Sequence, residues 1–247
     1  MERLVLWDID HTLISTGGVG RELSALAFRQ ATGVEMREQA AVEGITEPVI
    51  FRETAKLHGL ATDRGDFERF AAALTQAHLT HSAQLRERGH ALPGAAAALE
   101  ALAAKSGIRQ SVVSGNIGAV ARIKLEVFGL DRRIDWEAGG YGDDDDVRSA
   151  LVTLALTRAA GRSEVLRPEN AVVIGDTPAD VEAARANSVP AIAVASGRSS
   201  QAQLRAAGAD VVLPDLADTG RLLDALRQTS GRTNSAVPAS SERRSAT

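Results

Sequence analysis

Five short runs of nearly unbroken apolar residues punctuate the chain: Leu4–Asp10, Gln110–Ser114, Ala171–Asp176, Ala191–Ala195 and Asp210–Leu213. Each closes on turn or polar residues, and none shows the strict alternation of a strand with one wet face. The pattern predicts strands covered on both sides. Between them the apolar spacing lengthens to that of helices, over Pro93–Ala104 with its proline at the start, Gly118–Phe128 and Val147–Ala160. Strands alternating with helices predict a parallel sheet in a doubly wound α/β core.

Residues 16–89 interrupt this rhythm. They hold no strand pattern and predict helices over Gly20–Ala31, Pro48–His58 and Asp66–Arg88, the last with Phe67, Phe70, Leu74 and Ala77 along one face. So much helix inserted just after the first strand predicts an α-helical cap over a site, leaving residues 1–15 and 90–228 as the core. The polar, Ser- and Arg-rich stretch 229–247 is expected to be disordered.

The strand ends carry the chemistry. Asp8 and Asp10 follow Leu4–Trp7, and side chains two apart in an extended segment share a side. Two carboxylates held that close repel, so they either splay into solvent or serve a cation or a proton transfer. Ser114 ends SVVS, and Asp176 ends VVIGD with Asp180 where a helix begins. Parallel packing brings all of these to one sheet edge, where ligands of such sheets bind. Four carboxylates there call for a hard, oxygen-preferring ion such as Mg²⁺. Capping aspartates at separate turns would explain any one of these positions, but not their joint placement.

Composition narrows the partners. A net charge of −4 and a pI near 5.8 give no basic field for nucleic acid or an anionic membrane. No run is apolar long enough to span a bilayer. The chain has no cysteine, which excludes disulfides and thiolate chemistry and fits a cytoplasmic protein. Oligomeric state is not written in the sequence.

Three of these segments together resemble a known family. DIDHTLI is similar to the DxDxT motif of the haloacid dehalogenase superfamily, SVVSGN to its second motif and VIGDTPAD to its GDxxxD motif. The likeness runs to about residue 225 and is nearest the phosphoglycolate-phosphatase-like branch with a helical cap. It implies a Rossmann-like core and a Mg²⁺-dependent phosphatase acting on a small phosphorylated metabolite: phosphoglycolate-like, or a sugar or nucleotide phosphate. By the family's pattern Asp8 is the nucleophile that forms an aspartyl-phosphate, and Asp10 is the general acid and base. Asp8, Asp10 through its backbone carbonyl, Asp176 and Asp180 would hold the metal. Thr12, Ser114, Gly115 and Asn116 would contact the phosphoryl oxygens. The phosphate also needs a cation, and of three lysines Lys124 is favoured, with Arg148 close behind. Within the cap, Arg21, Thr46, Glu47 and Arg52 are specificity candidates by location.

Rivals remain within the superfamily. A dehalogenase would lack Asp10, a phosphonate hydrolase would need Lys56 as its Schiff-base lysine, and a β-phosphoglucomutase-like phosphotransferase would keep both aspartates. From another class, a non-catalytic binding module could retain the fold. Three further features read as ordinary. The Asp143–Asp146 run is a solvated turn, His78 and His81 are a surface pair, and His11, where most relatives carry glycine, is a tolerated loop residue.

Overall fold

The computed structural model describes residues 3–161 and 166–230. Its sheet has six parallel strands: β1 (Arg3–Trp7), β4 (Ile108–Ser114), β5 (Gly140–Tyr141), β6 (Ala171–Gly175), β7 (Ala191–Val194) and β8 (Val211–Leu213). Their order across the sheet is β5-β4-β1-β6-β7-β8, so β1 is central, with β4 on one side and β6 on the other. Leu6 pairs with Ser111 and with Val173, a register that brings Asp8, Ser114 and Asp176 out at the same edge.

Alternation along β1 divides the core. Val5 and Trp7 face α5 (Ala95–Ala103), α6 (Gly118–Val127) and α10 (Thr219–Gln228). Leu4 and Leu6 face α7 (Arg148–Ala160), α8 (Pro178–Ala186) and α9 (Gln201–Ala206). The sheet is therefore covered on both faces, which is why its strands read as continuous apolar runs.

The excursion between β1 and β4 leaves and returns through a two-residue antiparallel pair, β2 (Ile14–Ser15) with β3 (His90–Ala91). It holds α1 (Val19–Thr32), α2 (Glu47–Leu57), α3 (Arg64–Thr80) and α4 (Ser82–Arg88). Phe28, Phe51, Phe70 and Leu74 form its own apolar cluster, with the Phe51 and Phe70 rings stacked at 4.6 Å. That cluster is closed from below by Val120 and Ile123 of α6.

Two expectations need correction. The single helix over Asp66–Arg88 is two helices, because His81 leaves helical geometry at φ −105° and ψ 21°. The polar tail does not begin at Thr229. That residue is buried, donates to the Ala225 carbonyl at 3.0 Å and accepts from the Arg3 guanidinium at 2.7 Å. Ser230 follows it, donating to the Leu226 carbonyl at 2.9 Å, and residues 231–247 of the stretch expected to be disordered lie outside the described residues. Among the described residues no helix is long and apolar enough to cross a membrane.

Candidate active site

At the carboxyl edge of the sheet a cavity of about 690 Å³ opens between the strand ends and the helical excursion. Asp8 continues the β1 ladder, its N–H donating to the Ile174 carbonyl at 2.8 Å. The chain then folds back sharply, with the N–H groups of Leu13 and Ile14 both reaching the Ile9 carbonyl. The reversal needs a left-handed residue, and His11 supplies it at φ 62°. This is the position where the resemblance led one to expect glycine, which adopts that geometry without strain.

Asp8, Asp176 and Asp180 are all buried, and each offers a carboxylate oxygen within 4.8 Å of the others. Thr12, fully buried, donates within 3.4 Å to Asp8 and 3.3 Å to Asp176. Asp180 caps α8: one oxygen accepts from the Thr177 N–H at 3.0 Å and hydroxyl at 2.6 Å. Arg148, opening α7, donates to Asp8 at 2.7 Å and through its Nε to Asp180 at 3.0 Å. Burial, then the neighbouring charge of Asp180, pushes the Asp8 carboxyl well up despite Arg148. Burial and the charges of Asp8 and Asp180 do the same to Asp176. One guanidinium is thus too little positive charge for three buried carboxylates. Their all-oxygen donor set fits a hard divalent cation.

Asp10 lives in a different environment. Lys124 Nζ donates to both of its oxygens, at 2.9 and 2.7 Å, and also to Asn116 Oδ1 at 2.7 Å. Asn116 Nδ2 donates to Asp10 at 2.7 Å and to Ser114 Oγ at 2.8 Å. Burial would raise the Asp10 carboxyl, but Lys124 and Asn116 outweigh it and hold the group below its usual range. The two aspartates of the DxD therefore sit in opposite electrostatic states, each with its own cation.

Two glycines allow the walls to close. A Cβ on Gly197, after β7, would stand 1.8 Å from Asp176 Oδ2, and one on Gly115 would stand 2.2 Å from the Ile45 carbonyl. Through the second contact the excursion docks on the core, with Glu47 N–H donating to the Gly115 carbonyl at 2.8 Å.

Of the four residues named in the excursion, Arg21 and Glu47 line the cavity, whereas Thr46 and Arg52 do not. Thr46 donates to the Asp146 carbonyl at 2.9 Å, and Arg52 pairs with the Asp146 carboxylate at 2.8 Å. His78 corrects the reading of a surface pair: it is 2% exposed and forms part of the cavity wall. Its place was legible, since it follows Phe70 and Leu74 at intervals of four. Gly197 carried no motif to single it out.

The haloacid dehalogenase-like hydrolase family matches residues 5–185. The chain belongs to that family. It is 30% identical to a phosphoglycolate phosphatase of Rhodospirillum rubrum over 246 residues, covering 98% of this chain and 99% of that one. Its fold is similar to that of a hydrolase from Pseudomonas syringae, at TM-score 0.65 and 23% identity over 90% of this chain and 98% of that chain. A haloacid dehalogenase-like family protein from Streptococcus pneumoniae matches at TM-score 0.59 and 17% identity, over 91% of this chain and 98% of that one. The chain is thus an enzyme of the hydrolase class with the α/β architecture of its family.

Proposed function

We propose that the protein is a cytoplasmic, Mg²⁺-dependent phosphatase that hydrolyses a small phosphorylated metabolite through an aspartyl-phosphate on Asp8. Phosphoglycolate, named in the Rhodospirillum rubrum relative, is one candidate. The observation that carries this reading is the split between Asp8 and Asp10, two residues apart, one held by Arg148 and the other by Lys124. Separate partners let the two carboxyls be tuned apart: a cation bound at Asp8 would favour the carboxylate a nucleophile needs, and an incoming phosphate would favour the acid form of Asp10.

Asp8 attacks phosphorus in line as the bond to the leaving oxygen breaks, and Asp10 delivers the proton that this oxygen needs. The incoming phosphoryl group brings negative charge beside Asp10 and competes for Lys124, which raises the proton affinity of Asp10 for this step. Asp10, again a carboxylate, then takes a proton from the water that attacks the phosphorus of the acyl phosphate. Phosphate leaves and Asp8 is regenerated. Arg148, Thr12, Ser114, Gly115 and Asn116 would hold the phosphoryl oxygens. Asp8, Asp176 and the Asp10 carbonyl, with Asp180 behind them, would hold Mg²⁺. When bound, the ion supplies charge neutralisation that lets one anion approach another. The helices of residues 16–89 act in this reading as a cap that keeps bulk water from the acyl phosphate.

Hydrolysis of p-nitrophenyl phosphate by wild type and Asp8→Asn, with Mg²⁺ and with EDTA, tests the proposal. Turnover should require Mg²⁺ and fall by at least about a thousandfold in Asp8→Asn. Undiminished turnover in the variant would sink the covalent route. If the closed cap rejects the aryl group, small alkyl phosphates replace it in the same assay.

A further inference from the structure

The cavity holds two acceptors that the chemistry just described leaves idle. His78 Nδ1 faces the Leu74 carbonyl at 2.9 Å. A carbonyl can only accept, so Nδ1 carries the proton and Nε2 is left with a lone pair. That Nε2 is buried and has no partner, in a residue that forms part of the cavity wall. Leaving a buried acceptor unpaired is costly, and native proteins rarely do so without a use for it. Glu47, at the start of α2, lines the same cavity. Burial raises its carboxyl to about 7, while the charges of Lys124 and Asp10 also reach it.

His78 is set apart from the phosphate-holding groups by its charge state. Burial and the charge of Lys124 push the imidazole down to about 4, so at neutral pH it offers no positive charge and no N–H to the cavity. Both residues sense Lys124 and Asp10, the pair beside which the leaving oxygen departs in the proposed reaction. A carboxylate on the leaving group would there meet a lone pair and two acidic side chains, with the Lys124 ammonium already engaged by Asp10 and Asn116. A hydroxyl would meet acceptors.

We infer that His78 and Glu47 receive hydroxyl groups of the leaving alcohol, so that this site selects polyol or sugar phosphates over esters bearing a carboxylate. This rests on the phosphatase reading above and narrows its substrate class. The two residues are binding groups for the part of the substrate that does not react, and their effect falls on the choice among esters.

The test compares kcat/KM for glycerol 3-phosphate and ribose 5-phosphate with that for propyl phosphate and phosphoglycolate, in wild type and His78→Leu. Wild type should favour at least one hydroxylated ester over propyl phosphate by tenfold or more, because a site built for a hydroxyl rejects the analogue lacking it. His78→Leu should lose roughly tenfold on that ester and stay within about twofold on propyl phosphate. His78→Gln, whose amide oxygen can accept, should recover part of the loss. Retained activity on propyl phosphate shows that each variant is folded. Equal handling of hydroxylated and plain esters by wild type would overturn the inference without any variant. So would a preference unchanged in His78→Leu. Phosphoglycolate as the best substrate would do the same, and would point to Arg21, also on the cavity wall, as a carboxylate partner. Failure to hydrolyse any ester, p-nitrophenyl phosphate included, would overturn the phosphatase reading itself and the inference with it. Turnover without preference overturns the inference alone.

Discussion

Asp143 to Asp146 stand side by side in the chain, are exposed, and meet separate donors. Asp143 accepts from the Gly118 N–H, Asp144 from the Tyr141 N–H and Arg158, Asp145 from the Val147 N–H, and Asp146 from Arg52. Asp8 and Asp176 follow two strands and Asp180 opens a helix; all three are buried, and two of them share Arg148. Burial would raise Asp144 too, but Arg158 and the Tyr141 N–H hold it below its ordinary range, whereas Asp8 and Asp176 are driven up. Density of charge along the chain therefore says little about density in space. Consecutive side chains radiate from a turn and find their own partners, and only the sheet brings distant carboxylates together with too few donors to satisfy them.

Removing the cation from each group should break the comparison most visibly. In EDTA, Arg148→Met leaves buried carboxylates without their partner and should cost about 3–5 kcal/mol in urea unfolding. Arg158→Met, which strips Asp144 of a partly exposed pair, should cost less than about 1 kcal/mol. Similar losses in the two variants would mean that burial does not separate the clusters as argued.

The strands of the core were legible because a strand covered on both faces has to be apolar throughout, and the polar residue that ends each run is the one that reaches the functional edge. Asp8, Ser114 and Asp176 could be read for that reason. Lys124 and Arg148 competed for a single role in the sequence, and the fold gives each its own carboxylate, a division that depends on distances no motif encodes. The pairs Ile14–Ser15 with His90–Ala91, and the strand Gly140–Tyr141, are too short to carry a period. The break at His81 was hidden because the apolar face of the preceding helix runs on through His78 to its last turn. There a polar side chain on an apolar face marks the cavity wall, although a histidine beside His81 on a helix suggests a surface pair in the sequence alone.

A smaller effect is expected from pH. The Asp8 and Asp176 carboxyls are raised in the folded state, so that state keeps protons that the unfolded chain releases from the ordinary value of 3.8 upward. Stability then falls as pH rises from about 4 to neutrality, since the unfolded state binds fewer protons across that window. A bound cation favours the ionised carboxylates and removes this contribution. Melting temperature followed from pH 5 to pH 8 should decline more steeply in EDTA than in saturating Mg²⁺. Asp144→Asn should leave the difference between the two curves unchanged, because Asp144 is lowered by its own partners and shares none with the buried group. Parallel curves with and without the metal would count against a cation at Asp8 and Asp176.

The smallest expected change lies in the backbone and sharpens the contrast from another side. No residue of Asp143–Asp146 has a positive φ, while the loop that carries Asp8 and Asp10 holds His11 at 62°. A non-glycine residue in that region costs roughly 1–2 kcal/mol. Glycine removes the strain but loses about 0.5–1 kcal/mol through the greater freedom of the unfolded chain. His11→Gly should therefore raise stability by a net amount of about 0.5–1 kcal/mol, measured by urea unfolding in EDTA. The loop's hydrogen bonds, from His11 N–H to Ile14 and from Ser196 to the His11 carbonyl, use only the backbone of residue 11 and survive the change. The Mg²⁺-dependent rate should stay within about threefold, because Asp10 keeps its hydrogen bonds from Lys124 and Asn116 and loses only the lesser influence of the His11 charge. A destabilised variant would mean that the imidazole makes a contact worth more than the strain it imposes. A stabilised variant with normal turnover would show that strain in this loop can be relieved without disturbing the carboxylates it holds.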